Sequence, residues 1–247
     1  MSLALARAET AKLRSLASTW WFLGATVAVS LVFSALGRLM ADEGARPGIA
    51  EAMTGPAFGQ ILITVLAARA ATQEFATGTI WASYLAVPSW RRLLCAKAAV
   101  LAALACVAGA VLALGGLAVA ALTQGAGADL VPDTALELRQ LAAVPAAYAV
   151  CALFGVAAGV LLRSGGLTVT VLLVWILAAE SLAGALISWL LKAEAAAWLP
   201  FTALADFLGQ PGTAHFPAGP YAAGLYAAAL AGAALAAAVA VQGRRER

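Results

Sequence analysis

Apolar residues run through this chain in six long blocks, and the stretches between them hold nearly all of the charge and most of the proline. A helix needs about 20 apolar residues to cross the hydrocarbon core of a bilayer. The blocks at 20–40, 56–72, 98–122, 140–162, 167–191 and 221–241 therefore predict six crossings. The first block is longer than the apolar core of a cleavable leader and lacks a clear small-residue cleavage site, so it reads as a retained span. Ahead of it, Leu3, Leu5, Leu13 and Leu16 alternate with Arg7, Glu9, Lys12 and Arg14. That spacing suits an amphipathic helix lying in the headgroup layer over 1–19, although a plain positive flank would have the same composition. The longest connection expected on the same side as the N-terminus, 73–97, is amphipathic and too polar to cross. The segment 192–219 mixes Trp198, Leu199, Phe201 and Leu204 with Pro200, Asp206, Gly209 and Pro211. It is expected either to pack against helix ends or to dip partly into the membrane. The fold class expected is all-α, a single polytopic membrane domain over 1–247.

Composition strengthens this reading. Hydrophobic residues make up 64% of the chain and charged residues 11%, against about 45–50% and about 25% in soluble domains. Mean hydropathy is +0.93. Short connections leave no room for a separate soluble domain, and a net charge of +3 on such a chain reflects orientation and headgroup contact rather than nucleic-acid binding. The six-span topology places Arg7, Lys12, Arg14, Arg69, Arg91, Arg92, Lys97, Arg163, Arg244, Arg245 and Arg247 on one face, and only Arg38, Arg46, Arg139 and Lys192 on the other. The face richer in Lys and Arg is expected to be cytoplasmic, with both termini on it. Most acids fall on the opposite side. Cys106 and Cys151 lie within apolar blocks and Cys95 at the inner edge, so no oxidised pair is expected.

Chemistry-bearing motifs are sparse. None of Lys12, Lys97 and Lys192 is followed by Ser or Thr, which excludes a GxxxxGK[ST] phosphate loop. His215 stands alone as an imidazole and is expected to be a loop residue, so neither a histidine metal site nor a membrane serine protease is expected. No paired glutamates occupy one span. Gly155 and Gly159, and the ridge Gly224, Ala228, Gly232 and Ala236, permit close helix approach, but in a chain this rich in alanine such spacing assigns no interface. Glu180 is the one carboxylate expected at membrane depth, where even lenient insertion scales charge about 2.5–3.5 kcal/mol. It must face protein or water. Two roles stay open: lining a substrate pathway, or locking neighbouring helices through Ser181 or Thr168.

Three motifs together resemble the membrane subunit of an ABC-2-type transporter, in the branch common among actinobacteria. The first is Glu9-Thr10-Ala11-Lys12-Leu13-Arg14-Ser15 followed by Ser18-Thr19-Trp20-Trp21. The second is Glu74-Phe75-Ala76-Thr77-Gly78-Thr79-Ile80, then Pro88, Arg91-Arg92 and Lys97. The third is Leu199-Pro200-Phe201 ahead of the last span. The resemblance implies a six-span permease in a bacterial cell membrane, paired with a second copy or a homologous permease. It implies that a separate ATP-binding cassette subunit, which would bind ATP and Mg, drives the permease, so this chain needs no cofactor and is not itself an enzyme. Coupling would pass through Glu74, Gly78, Thr79, Ile80, Trp81, Tyr84, Pro88, Arg91 and Arg92. The weakly charged spans then favour a hydrophobic or amphipathic cargo such as a drug, an antibiotic peptide or a lipid, as in multidrug or antibiotic efflux. A different class of function, a non-transporting membrane sensor or scaffold with the same span pattern, is the alternative.

Overall fold

The computed structural model of the chain describes residues 3–39, 53–78, 89–124, 135–191, 195–210 and 212–245. Every regular element among them is helical. They are α1 (Leu3–Ser15), α2 (Ala17–Leu39), α3 (Thr54–Ala76), α4 (Trp90–Gln124), α5 (Ala135–Leu162), α6 (Gly165–Val174), α7 (Glu180–Leu191), α8 (Pro200–Leu208) and α9 (Pro220–Arg245). A π turn, Trp175–Ala179, joins α6 to α7 in one continuous rod. A 3-10 turn, Ala196–Trp198, precedes α8. Among the described residues, five helices are long and apolar enough to cross a membrane: Ala17–Gly37, Trp90–Leu122, Glu137–Leu162, Gly165–Leu190 and Pro220–Arg244. This is the architecture of a polytopic membrane protein.

The second predicted span, α3, is not among those five, and its surroundings give the reason. It carries Gln60, Thr64, Arg69, Thr72, Gln73 and Glu74, yet it is the most enclosed long helix, with Ile63, Val65, Leu66, Ala67 and Ala68 all buried. It packs against α5, α2 and α6. A helix wrapped by other helices meets little lipid, so it tolerates polar side chains that a lipid-facing helix could not.

The α3/α5 pair is the spine of the bundle. Tyr148 Oη donates to the Pro56 carbonyl at 2.7 Å, and Cys151 Sγ lies 3.7 Å from Gln60 Oε1. An added Cβ at Gly155 would strike the Thr64 carbonyl, and one at Gly159 would sit 2.8 Å from the Ala68 carbonyl. The sequence offset stays at 91 to 92 residues between the two bonded pairs, so the two helices run parallel. The Gly155/Gly159 pair is thus an internal seam. In the other ridge, Gly224 meets the Phe207 ring while Gly232 faces open space.

On α2 the usual polarity of a soluble helix is inverted. Its buried stripe is Thr19, Thr26, Ser30 and Ser34, while Trp21, Val27, Val32 and Leu36 are exposed. In hydrocarbon, apolar side chains have no reason to hide, and small hydroxyl residues let backbones approach. Phe33 stacks on Phe58 at 3.9 Å where α2 meets α3. Helix α4 begins eight residues before the predicted third span and runs unbroken for 35 residues, about 52 Å at 1.5 Å per residue. It outreaches the hydrocarbon layer.

The short turn at Arg163 and Ser164 makes α5 and α6 neighbours along the chain. They touch, but α6 leans on α3 as well as on α5, with Gly165 close to the Thr72 hydroxyl. Beyond the π turn, α7 leaves the bundle and packs chiefly on the 3-10 turn. Leu182, Leu186, Trp189 and Leu190 consequently stand exposed. The segment after it forms a compact cap: α8 packs on α5 and α9, starting with Pro200 in its first turn and ending at left-handed Gly209 (φ 70°).

Candidate functional site

Two polar centres lie at opposite ends of the α3/α5 spine. The first stands at the root of the 73–97 connection. Lys97 Nζ contacts Glu9 Oε2 and Glu74 Oε1, each at 2.9 Å. Lys12 Nζ contacts Glu9 Oε1 and Glu74 Oε1, again at 2.9 Å. The result is a closed ring of two cations and two anions from three helices. Glu9, Glu74 and Lys97 are buried, whereas the Lys12 side chain is 43% exposed. Burial on its own would lift the Glu74 carboxyl, but the ammonium groups of Lys97 and Lys12 outweigh it and hold the group below its ordinary value of 4.5. Burial likewise works against the charged Lys12, and its bonds to Glu9 and Glu74 prevail, holding it above 10.5. Arg163 sits over the Phe75 ring at 5.3 Å and donates from Nε to Gln242 Oε1 at 3.1 Å. This links the C-terminal end of α9 to the same corner.

Of the residues assigned to coupling, Glu74 enters this ring, Gly78 closes α3 in a left-handed, exposed conformation (φ 67°), and Arg91 and Arg92 are exposed at the start of α4. Thr79, Ile80, Trp81, Tyr84 and Pro88 lie outside the described residues. In the sequence the ring partners Glu9 and Lys12 lie in one motif and Lys97 in another, and nothing local joins them into one site. Pairing across 62 residues leaves no local trace, and the available signal was three helix-borne charges flanking spans on one face.

The second centre is a cavity of about 700 Å³, within the usual range for small-molecule sites. It opens where α7 splays away from α3 and α8 forms a cap. Its polar lining includes Gln60, Gln140, Glu180, Thr202 and Thr213, set among Phe58, Ile61, Ile176 and Leu208. Glu180 is 3% exposed. Its Oε2 accepts from Trp175 Nε1 at 2.9 Å, and its Oε1 accepts from the Thr202 backbone N–H at 2.6 Å and contacts Thr202 Oγ1 at 3.0 Å. Ser181 and Thr168, the partners considered from sequence, do not hold it. The carboxylate occupies the N-terminal turn of α8, where backbone N–H groups lack helical partners and the dipole favours an anion. Glu180 therefore borders the cavity and fastens the cap through Thr202.

Two cavity residues were missed by sequence reasoning. Gln60 Nε2 and Gln140 Oε1 are buried without a hydrogen-bond partner among the described residues. Gln60 carried the same signal as Glu180, a polar side chain inside an apolar block. Across the cap, Asp206 Oδ1 lies 2.9 Å from His215 Nδ1, and Oδ2 accepts from the Phe216 N–H at 3.0 Å. Tyr226 Oη donates to the Trp198 carbonyl at 3.0 Å within a cluster of Trp198, Phe216 and Tyr226. His215 is thus a loop residue tied to α8. Among the described residues the cavity sets a few polar groups in an apolar lining, an arrangement that suits binding. No family model matches this chain, and no curated protein or solved structure matches it.

Proposed function

We propose that this chain is the transmembrane subunit of an ATP-driven ABC-2-type exporter, with six crossings, α3 being the sixth, and both termini in the cytoplasm of a bacterial cell. The observation that carries the reading is the ring of Glu9, Lys12, Glu74 and Lys97. It clamps both ends of the 73–97 connection to the N-terminal helix. A permease without a soluble domain has to receive work through a stiff cytoplasmic element, and this ring gives the connection a rigid base. The cavity under α8, apolar with a few polar groups, suits a hydrophobic or amphipathic cargo. A second permease copy would cover the lipid-exposed outer part of α7.

The test is copurification and coupled hydrolysis. The chain, isolated from its native membrane in mild detergent, is expected to bring down an ATP-binding cassette subunit with vanadate-sensitive ATPase activity. Trp81→Ala with Tyr84→Ala is expected to weaken that association or to uncouple hydrolysis from transport. A double variant that assembles and transports like the wild type removes the coupling role. A chain that copurifies with no ATPase and moves no substrate in proteoliposomes removes the exporter reading. Topology has its own check: Cys95 is exposed and Cys151 buried, so an impermeant maleimide is expected to label Cys95 in inside-out vesicles and not in intact cells.

A further inference from the structure

We infer that the groove between α1, α2 and α4 is a binding site for one anionic phospholipid, its headgroup on Arg7 and Arg14 and an acyl chain along α4. Helix α1 has two working faces. One, with Glu9 and Lys12, belongs to the charge ring. The other presents Arg7, Thr10 and Arg14 at helical spacing, all three exposed, and neither guanidinium has an ion-pair partner among the described residues. Thr10 and Arg14 line two adjoining depressions. The first lies over α1 with Arg7 and Ser15. The second, about 320 Å³, descends between α2 and α4 past Leu23, Val100, Leu104 and Val107.

A polar, basic opening above an apolar trough matches the order of parts in a phospholipid. Depth fits as well. Trp20, which lines the trough, donates from Nε1 to the Arg14 carbonyl at 3.1 Å and is 58% exposed. Indole rings settle at headgroup level, so the arginines lie at phosphate depth and Val107 lies well into the hydrocarbon. From Val100 to Val107 the trough runs seven residues, about 10 Å along the helix, enough for the upper part of a chain. Charge separates this occupant from a second copy of the protein. The acids nearest α1, Glu9 and Glu74, are consumed in the ring, so a symmetric contact through this face would set arginine against arginine.

The experiment uses the full chain in detergent, titrated with phosphatidylglycerol and with phosphatidylcholine and read by native mass spectrometry. Each basic residue near an anionic lipid surface contributes about fivefold. The wild type is therefore expected to prefer phosphatidylglycerol by about thirtyfold, Arg14→Gln to lose about fivefold, and Arg7→Gln with Arg14→Gln to lose nearly all the preference. Arg244→Gln, another exposed arginine expected on the same side, is expected to keep it. Ala103→Trp, which fills the trough, is expected to weaken both lipids equally. Equal losses from Arg244→Gln and from the Arg7/Arg14 pair would make the preference diffuse and overturn the site. An unaffected Ala103→Trp variant would overturn the placement of the chain. Binding of neither lipid, with Val107→Cys in a Cys95→Ser, Cys106→Ser background forming disulfide-linked dimers, would assign the groove to a second copy. Both arginines stand outside the charge ring, so unchanged thermal stability of the variants separates lost binding from lost folding.

Discussion

Replacing Lys97 by Met should damage this protein far more than replacing Lys12 by Met, although each ammonium touches the same two carboxylates at 2.9 Å. At that distance an effective dielectric of about 20 gives a gross attraction of roughly 6 kcal/mol per contact. Desolvation offsets most of it, so what matters is which charge is left behind. The Lys97 side chain is 10% exposed and its two carboxylates 3% and 11%. Removing it leaves two buried anions facing one half-solvated cation, a situation that costs about 3–5 kcal/mol. The Lys12 side chain is 43% exposed, water already screens it, and Lys97 would still bridge both anions, which limits the loss to about 1 kcal/mol. For a chain of this length, about 2–4 °C of Tm accompanies each kcal/mol. Thermal unfolding of the purified chain in detergent is expected to drop by roughly 6–20 °C for Lys97→Met and by about 2–4 °C for Lys12→Met. Glu9→Gln added to Lys97→Met should recover part of the loss by removing one stranded charge. Equal shifts for the two lysine variants, or a Lys97→Met variant within 2 °C of the wild type, would refute the argument.

The same ring sets a pH profile. The Glu74 pKa is depressed, so its contribution is present above 4.5 and fades as pH falls through the lower folded value; the Lys12 pKa is raised, so its contribution is present below 10.5 and fades as pH rises through the higher one. Tm against pH should be flat between these limits for the ring's share, and Glu74→Gln should flatten the acid shoulder; an unchanged acid shoulder in that variant contradicts the assignment. At the other centre, Glu180→Gln keeps a carbonyl for Thr202 but turns an NH2 toward the Trp175 N–H, a donor opposed to a donor costing about 1–3 kcal/mol. Tm should fall by about 2–12 °C and largely recover when Trp175→Phe is added; no recovery would show that Trp175 is not the partner that matters. In the spine, Gly155→Leu should part α3 from α5, with a loss above the usual 1–3 kcal/mol of overpacking because the clash is with backbone. Gly232→Leu, which meets nothing within 4 Å, should be tolerated, and similar destabilisation by both would argue against the parallel seam.

What the sequence disclosed depended on whether the governing interaction was local. Hydropathy is summed along contiguous residues, so the long apolar helices were legible, and α1 was announced by leucines spaced among charges. Helix α3 formed over the second apolar block yet is not among the five candidate spans; its environment is supplied by α2, α5 and α6, which its own residues do not reveal. Gly155 and Gly159 could not be separated from an alanine-rich background until Thr64 and Ala68 stood opposite them. Glu180 announced itself through its cost in hydrocarbon, but its partners Trp175 and Thr202 emerged only with the π turn and the α8 cap. The ring at Glu74 needed three helices to converge.

The π turn at Trp175–Ala179 has a consequence for the whole of α7. A π turn is an α-helix that has accepted one surplus residue, and one residue of an α-helix is worth about 100° of rotation and 1.5 Å of rise. Everything from Glu180 to Leu191 is therefore phased against α6 by a count rather than by a particular side chain. Deleting Ala178 would return the rod to regular α geometry without removing any group that touches Glu180. It would nevertheless swing the carboxylate about a quarter-turn from Trp175, uncap α8 and rotate a leucine edge into the cavity. The direction in which the cavity's acid points is stored in this chain as an insertion.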